Sequence, residues 1–317
     1  MVYLIRIIFI FKSLDLAKKT IIIVICSVGL YASFLIFSDI SLLITKFQEF
    51  NKKNLFFIIP LVITSYFIRS LRWNFLLNSS KIKIGVKEST EIFFSGMAFG
   101  VTPAKIGEIV KSHILKKKYS QPISKTAPII FIERYYDLVG IIVILLIGMW
   151  FIELQKIFII ALFGIAVSLM ILSQQKSTFE KVLKNTSNLP FLKKYANNIL
   201  LSYDTINSLL KPKIYGKSIL YSITAWSAES LAVFFIFDGF GINLEIPVAT
   251  FIFTSSTLLG GVSLVPGGVG ITEGGMLGLL LLNNVDYTTS FSSVLLVRIL
   301  TLWLSVIIGF IVLKFKI

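Results

Sequence analysis

The sequence predicts an all-α polytopic membrane protein with six full transmembrane helices and two re-entrant helical hairpins, arranged as an inverted repeat. Three observations lead to this prediction. Apolar residues make up 56% of the 317 residues, and the mean hydropathy is +0.87, whereas soluble domains are about 45–50% apolar. Basic residues collect in segments between apolar runs, and Pro and Gly interrupt two of those runs.

Six apolar runs approach or reach the about 20 residues that cross a bilayer core. They are 20–37, 55–68, 136–152, 157–173, 219–237 and 291–313. Since no polar stretch is long enough for a separate soluble domain, we predict a single membrane domain over 1–317. The N-terminal segment 2–11 is too short to span and is expected to lie along the membrane interface.

The net charge of +15 is explained by membrane topology. In a soluble protein it would suggest nucleic-acid binding, which we do not predict here. Most of the 31 lysines and arginines lie near the two termini, in 69–125 and in 176–217. Because cytoplasmic loops are enriched in Lys and Arg, both termini are expected on the cytoplasmic side of the cell membrane. The loop 176–217 is expected either to contact anionic inner-leaflet lipids or to be a solvated connector.

Two further apolar segments do not fit as simple crossings. Segment 89–115 has lysines on both sides, so both of its ends are expected in the cytoplasm, whereas 246–284 begins and ends at external loops. Pro and Gly interrupt each one, and broken backbone at membrane depth is tolerated only where protein or a water-filled cavity covers it. We therefore interpret both as re-entrant hairpins that enter from opposite sides.

Both hairpins carry the same pattern at their break, a proline, a glycine four residues later and then a glutamate: Pro103, Gly107 and Glu108 in the first, and Pro266, Gly270 and Glu273 in the second. The chain accordingly divides into halves, 1–155 and 156–317, that each contain helix, helix, hairpin and helix. Three crossings per half is an odd number, so the second half is inverted. Interrupted segments at matching places in inverted halves indicate a transporter substrate site.

Ionisable side chains at membrane depth cost about 2.5–3.5 kcal/mol each on insertion scales, so each is a functional candidate. The sequence places seven there: Glu108, Glu133, Arg134, Asp137, Glu229, Glu273 and Arg298. Glu133 and Asp137 share one helix face, with Arg134 beside them. This trio is either a buried ion-pair brace or the polar lining of a headgroup cavity, and the two roles are compatible.

Arg298 is the main candidate for binding an anion, because a fixed guanidinium in a cavity binds phosphate or carboxylate. Neither Arg298 nor Glu229 has an oppositely charged neighbour within its own helix. We therefore expect them to pair with each other or with the hairpin glutamates, which reduces the desolvation cost.

Two other groups of residues are candidates for phosphate contacts. Arg69 and Arg72 are predicted at the cytoplasmic edge of a span, either as topological anchors or for capture of phosphate from the inner leaflet. The backbone N–H groups of Gly267, Gly268 and Gly270 are predicted to form an anion cradle at the start of a half-helix.

No motif in the sequence supports an enzyme. HExxH, Walker A and a GxSxG in strand–turn–helix context are absent, and there is no metal-ligand cluster. Cys26 is the single cysteine, so an intrachain disulfide and a cysteine metal site are excluded. His113 is expected at the headgroup surface rather than in a proton relay. We predict no catalytic residue, cofactor or metal.

In this order, the motifs resemble the membrane domain of lysylphosphatidylglycerol synthase/flippase proteins and the broader flippase-like family. The matching stretches are RSLRW (69–73), SGMAFGVTPAKIGEIVKSHIL (95–115), ERYYDLVG (133–140) and VPGGVGITEGGML (265–277). The resemblance covers nearly the whole chain and implies a two-hairpin membrane fold that moves a lipid across the bilayer. The aminoacyl-transferase domain of bifunctional members does not follow before Ile317, so lysine transfer is not expected.

These features together predict a lipid translocase for an anionic or amino-modified lipid or a polyprenyl-phosphate-linked lipid. Two alternatives stay open. A membrane-embedded transferase acting on a lipid-linked sugar would turn over a donor, and a non-catalytic subunit of a lipid or cell-envelope pathway would co-purify with a synthase. A homo-oligomer or a synthase partner is compatible with the prediction.

Overall fold

The computed structural model describes residues 40–150 and 196–316, and every regular element in these ranges is helical. The predicted spans 20–37 and 157–173 and the interfacial segment 2–11 lie outside the described residues. The described α-helices are α1 (Ile40–Glu49), α2 (Leu55–Ser79), α3 (Val86–Met97), α4 (Val110–Tyr119), α5 (Ile123–Trp150), α6 (Ala196–Leu209), α7 (Pro212–Gly239), α8 (Ile246–Val262), α9 (Ile271–Leu282), α10 (Tyr287–Arg298) and α11 (Leu304–Lys316).

Within 40–150 and 196–316, three helical segments have the length and composition to cross a membrane: Lys52–Ser79, Pro212–Gly239 and Tyr287–Lys316. In this respect they confirm the second, fifth and sixth predicted spans. Helix α5 contains most of the third. The helices extend beyond the predicted apolar runs because charged residues at their ends, such as Arg72 in α2, are buried inside the protein rather than placed in loops.

Two of the apolar segments are interrupted where Pro and Gly predicted a break. The chain makes a 3-10 turn at Pro103–Ile109 between α3 and α4, and a shorter one at Pro266–Gly268 between α8 and α9. Each turn begins with its proline, which has no N–H group to continue a preceding helix. In the second break, Gly267 and Gly270 have φ values of 61° and 86°, a conformation that residues with a Cβ rarely adopt.

The first arm of each hairpin packs against the last helix of the other predicted half. Helix α3 packs against α11, and α8 packs against α5. Helices α2 and α7 pack along each other in the centre. Asn54, just before α2, donates hydrogen bonds to the Phe235 carbonyl at 2.9 Å and to Asp238 at 2.8 Å. These contacts correspond between the two predicted halves, and the two broken turns contact each other.

Gly309 allows α11 to approach the first hairpin closely. A Cβ at this position would lie 2.2 Å from the backbone nitrogen of Ala98 and 2.8 Å from its Cα, and backbone cannot rotate away as a side chain can. We expect Gly309→Ala to push α11 off the hairpin and to lower the free energy of unfolding by about 1–3 kcal/mol, the usual cost of overpacking. Chemical unfolding of the detergent-purified protein measures this effect.

The control for this substitution is Gly216→Ala in α7, because a Cβ there meets nothing within 4 Å. Replacing an open helical glycine by alanine should leave stability unchanged or raise it. Equal destabilisation by the two substitutions would contradict a specific close approach at Gly309.

Candidate functional site

A cavity of about 150 Å³ lies where the two hairpin breaks meet. Both breaks, helices α2, α5 and α7, and the end of α10 contribute to its wall. Seven residues that the sequence singled out line it: Arg69, Glu108, Arg134, Glu229, Gly267, Gly268 and Arg298. The volume corresponds to roughly five water molecules, so the cavity suits a small polar group and not a whole lipid.

Six charged side chains form an electrically neutral network at one side of the cavity: Glu108, Glu133, Asp137, Arg72, Lys111 and Arg134. Lys111 of α4 lies between two carboxylates, 2.9 Å from Glu108 and 2.6 Å from Glu133. Its ammonium also lies 4.4 Å from the centre of the Trp73 ring, a cation–π contact that offsets part of the cost of burial.

Arg134 connects this network to the cavity. Its guanidinium lies 3.4 Å from Glu108 and 3.0 Å from Asp137. Arg134 and Glu108 line the cavity, whereas Glu133 and Asp137 lie behind them. The trio predicted on α5 therefore has one member on the cavity wall and two that hold that wall in place.

Arg72 is fully buried in the network and does not line the cavity. Its guanidinium lies 2.7 Å from Asp137 and 4.0 Å from Glu133, and it hydrogen-bonds the hydroxyl of Ser222 on α7. It thereby connects α2, α5 and α7. Neither role expected for Arg72, topological anchor or phosphate capture, matches this position, because a side chain with no exposed surface cannot contact a headgroup.

Arg69 of α2 does line the cavity. It forms a short ion pair with Glu229 of α7, whose carboxylate also accepts a hydrogen bond from Ser65 at 3.4 Å. The guanidinium carbon of Arg69 lies 4.5 Å from the centre of the Trp226 ring. The partner of Glu229 in the structure is therefore Arg69, and not Arg298.

Arg298 stabilises the break of the second hairpin. Its Nε donates to Glu273 at 2.6 Å, and a terminal nitrogen donates to the carbonyl of Gly267 at 2.6 Å. The other carboxylate oxygen of Glu273 accepts from the backbone N–H of Gly270 at 2.7 Å. The predicted pairing of Arg298 with a hairpin glutamate is thus confirmed. The N–H group of Gly270, expected in an anion cradle, donates to Glu273 instead.

The remaining hairpin residues shape the backbone around the cavity. The N–H of Gly107 donates to Thr102 Oγ1 at 2.7 Å, and a Cβ on Gly107 would lie 2.8 Å from the Cβ of Phe99. Pro103 and Pro266 each occupy the first position of a 3-10 turn. These residues set the direction of the wall and contribute no charged or side-chain polar group to it.

Two basic residues of the site were missed by the sequence reasoning, which assigned Lys105 and Lys111 to the cytoplasmic lysines of 69–125. Lys111 is buried in the network, and Lys105 lines the cavity. The available signal for Lys105 was its place inside the break, between the proline and the glycine. It has a left-handed φ of 56°, a conformation uncommon for residues other than glycine.

A π-helical turn at Ile299–Trp303 follows Arg298 and completes the wall. The Tyr66 hydroxyl donates to the carbonyls of Leu300 and Thr301, at 2.8 and 3.0 Å. Such turns interrupt the regular helical hydrogen bonds and often occur at functional sites. No pattern in the sequence marks this turn, since its residues are as apolar as the rest of the helix.

The chain is similar to known membrane proteins over most of its length. Residues 22–309 match the family described as the lysylphosphatidylglycerol synthase TM region. The chain is 30% identical to a UPF0104 membrane protein of Methanocaldococcus jannaschii over 66% of its own length and 89% of the relative. It is 23% identical to a UPF0104 membrane protein of Pyrococcus horikoshii, over 77% of this chain and 82% of that protein. A UPF0104 membrane protein of Methanothermobacter thermautotrophicus is 25% identical, with coverages of 76% and 77%.

Proposed function

Because the chain belongs to the family of the lysylphosphatidylglycerol synthase transmembrane region, we propose that this membrane protein is a lipid translocase. Its lipid is an anionic or amino-modified phospholipid or a polyprenyl-phosphate-linked lipid, and the headgroup crosses the cytoplasmic membrane through the cavity between the hairpins. With the basic segments in the cytoplasm, the first hairpin enters from the inner side and the second from the outer side.

One observation carries this proposal: a charged cavity opens among exposed apolar side chains. Lys105 and Gly261 line the cavity and are also exposed, so they mark its mouth. Their chain neighbours Ile106 and Val262 expose 59% and 66% of their surfaces. An amphiphile fits this combination, because its headgroup can enter the cavity while its chains remain against the apolar rim.

Transport requires that the cavity open to one side of the membrane at a time. The packing of α3 on α11 and of α8 on α5 joins each hairpin arm to a helix of the other half. Rocking of these two units about the central pair, α2 and α7, separates the hairpin breaks first on one side and then on the other. A headgroup held at the breaks thus changes its accessibility without passing through the apolar part of the bilayer.

Proteoliposomes test the proposal directly. Phosphatidylglycerol with a reducible fluorophore is placed in both leaflets, and a membrane-impermeant reductant reports which molecules reach the outer leaflet. The wild-type protein should make the inner-leaflet label accessible. Gly261→Leu should slow this movement by about tenfold or more, a barrier increase of at least about 1.4 kcal/mol, because the new side chain fills the mouth of the cavity.

Gly274→Leu is the matched control, since both glycines are helical and exposed and neither would place a Cβ within 4 Å of another group. Gly274 does not line the cavity, so its substitution should leave the rate of movement unchanged. If wild-type protein moves no label, whether phosphatidylglycerol, lysyl-phosphatidylglycerol or a polyprenyl phosphate carries it, the proposed function is wrong. Equal slowing by both leucines would place the transport path elsewhere.

A further inference from the structure

The carboxylates of the site all have basic partners. Glu108 and Glu133 contact Lys111, Asp137 contacts Arg72, Glu229 contacts Arg69, and Glu273 contacts Arg298. A cationic amine on a ligand would have to displace one of these partners to reach a carboxylate. Separating a buried pair in this way leaves an uncompensated charge, which is strongly unfavourable.

Lys105 gives the cavity an excess of positive charge. The cavity wall, the network behind it and Glu273, the partner of Arg298, together contain five carboxylates and six basic side chains: Arg69, Arg72, Lys105, Lys111, Arg134 and Arg298. Among the described residues, Lys105 forms no ion pair within 4 Å, and it lies within electrostatic range of Arg134 and Arg69 and of the carboxylates Glu108 and Asp137, which already have basic partners. Lys105, Arg69 and Arg134 therefore line the same wall, and among the described residues the carboxylates on that wall are Glu108 and Glu229.

Hydrogen-bond donors of the cavity-lining residues point to the same chemistry. In the described part of the chain, the buried atoms without a hydrogen-bond partner include Arg69 Nε, Arg134 Nε, Trp226 Nε1 and Thr257 Oγ1, and all four residues line the cavity. Three of these atoms are N–H groups, which only donate. Buried donors are normally satisfied, so this set favours a ligand that is rich in acceptor oxygens.

We infer that the cavity binds a phosphate anion between Lys105, Arg69 and Arg134, and that the translocated lipid is an anionic phosphodiester or phosphomonoester rather than an aminoacylated, cationic one. The part of this inference that concerns a transported lipid rests on the proposed function. The part that concerns phosphate binding rests on the charges and hydrogen-bond donors of the cavity. Charge-assisted hydrogen bonds from guanidinium and ammonium groups to phosphate are among the stronger ones in proteins.

The phosphate site lies at the first hairpin and not at Arg298, where the sequence had placed the principal anion contact. The guanidinium of Arg298 is bound by Glu273 and by the carbonyl of Gly267, each at 2.6 Å. A phosphate that recruited Arg298 would release the break of the second hairpin. Lys105 forms no such ion pair with any residue that the structure describes, and it lies at the mouth of the cavity, so it is the first cation that an arriving phosphate meets.

Binding of short-chain lipids to the full-length protein in detergent tests the inference. Dihexanoyl phosphatidylglycerol, dihexanoyl phosphatidate, inorganic phosphate and a short-chain lysyl-phosphatidylglycerol are titrated by calorimetry. The two anionic lipids should bind at least tenfold more tightly than the lysyl lipid. Lys105→Gln should weaken their binding by roughly tenfold, the loss expected for one charge-assisted contact. Inorganic phosphate that competes with the lipids identifies the anion itself as the ligand, and failure to compete shows that the acyl chains are also required.

Lys81→Gln is the control, because Lys81 is an exposed lysine with a similar left-handed φ of 59°, outside the cavity wall. It should not change binding. Tighter or equal binding of the lysyl lipid, or an unchanged affinity in Lys105→Gln, would overturn the inference. The proteoliposome assay separates the two proposals. If both lipids move at equal rates, the preference for an anionic lipid is wrong and the proposed translocase activity stands. If anionic lipids bind selectively but none moves, the anion site stands and the proposed translocase activity is wrong.

Discussion

Arg298→Ala should lower the free energy of unfolding by about 3–5 kcal/mol, because it leaves a buried carboxylate without its basic partner. Glu273 would keep its hydrogen bond from Gly270 but lose the 2.6 Å bond from Arg298. The carbonyl of Gly267 would lose its donor as well. We expect the second hairpin break to loosen, lipid movement to cease and the denaturant midpoint in detergent to fall.

Two variants separate the charge effect from the bracing geometry. The double substitution Arg298→Ala with Glu273→Ala should recover a large part of the lost stability, because no unpaired charge remains. Arg298→Lys keeps the charge, but an ammonium lacks the planar fork that contacts Glu273 and Gly267 together, so stability should fall between wild type and Arg298→Ala. A fully stable Arg298→Ala protein would show that Arg298 does not hold the break.

The sequence predicted the helical class and the location of the breaks because both depend on local properties. A long run of apolar residues favours a helix at membrane depth, and a proline followed closely by glycines favours a break in that helix. Proline alone is not enough, because Pro60 and Pro128 lie inside the continuous helices α2 and α5. The structure places 3-10 turns at Pro103 and Pro266 for this reason. The π-helical turn after Arg298 is different. Its geometry is stabilised by Tyr66, which is more than 200 residues away in sequence, so no local pattern indicates it.

The partners of the charged residues were only partly predictable. Arg298 was expected to pair with Glu229 or a hairpin glutamate, and the structure shows Glu273. Counting positive charges assigned Lys105 and Lys111 to the cytoplasm, because both are close in sequence to the exposed lysines at the end of α4. Whether a lysine on a short helix lies in water or inside depends on which helices cover it. Tertiary packing determines which helices cover a lysine, and the spacing of residues in the sequence does not.

Asp137→Ala should lower stability and lipid movement as much as Arg298→Ala does, because it disrupts the ion pairs beside the first hairpin break. Its carboxylate lies 2.7 Å from Arg72 and 3.0 Å from Arg134. Arg72 has no exposed surface, so water cannot replace the missing charge. We expect a loss of about 3–5 kcal/mol in the free energy of unfolding. Lipid movement should fall because Arg134, on the cavity wall, loses the closer of its two carboxylate partners and keeps only Glu108 at 3.4 Å among the described residues.

Glu49→Ala is the surface counterpart of this substitution, because Glu49 pairs with Lys46 at 3.2 Å while its side chain is 60% exposed. Exposed pairs contribute about 0–1 kcal/mol, so Glu49→Ala should be nearly neutral in unfolding and transport. Replacing Asp137 and Arg72 together by Leu and Met should restore much of the stability, since a buried pair can be exchanged for apolar groups. That variant should still transport poorly, because Arg134 would remain without Asp137. If the apolar pair restored full transport, the network would serve only the stability of the fold, and the position of Arg134 would not matter for the movement of lipid.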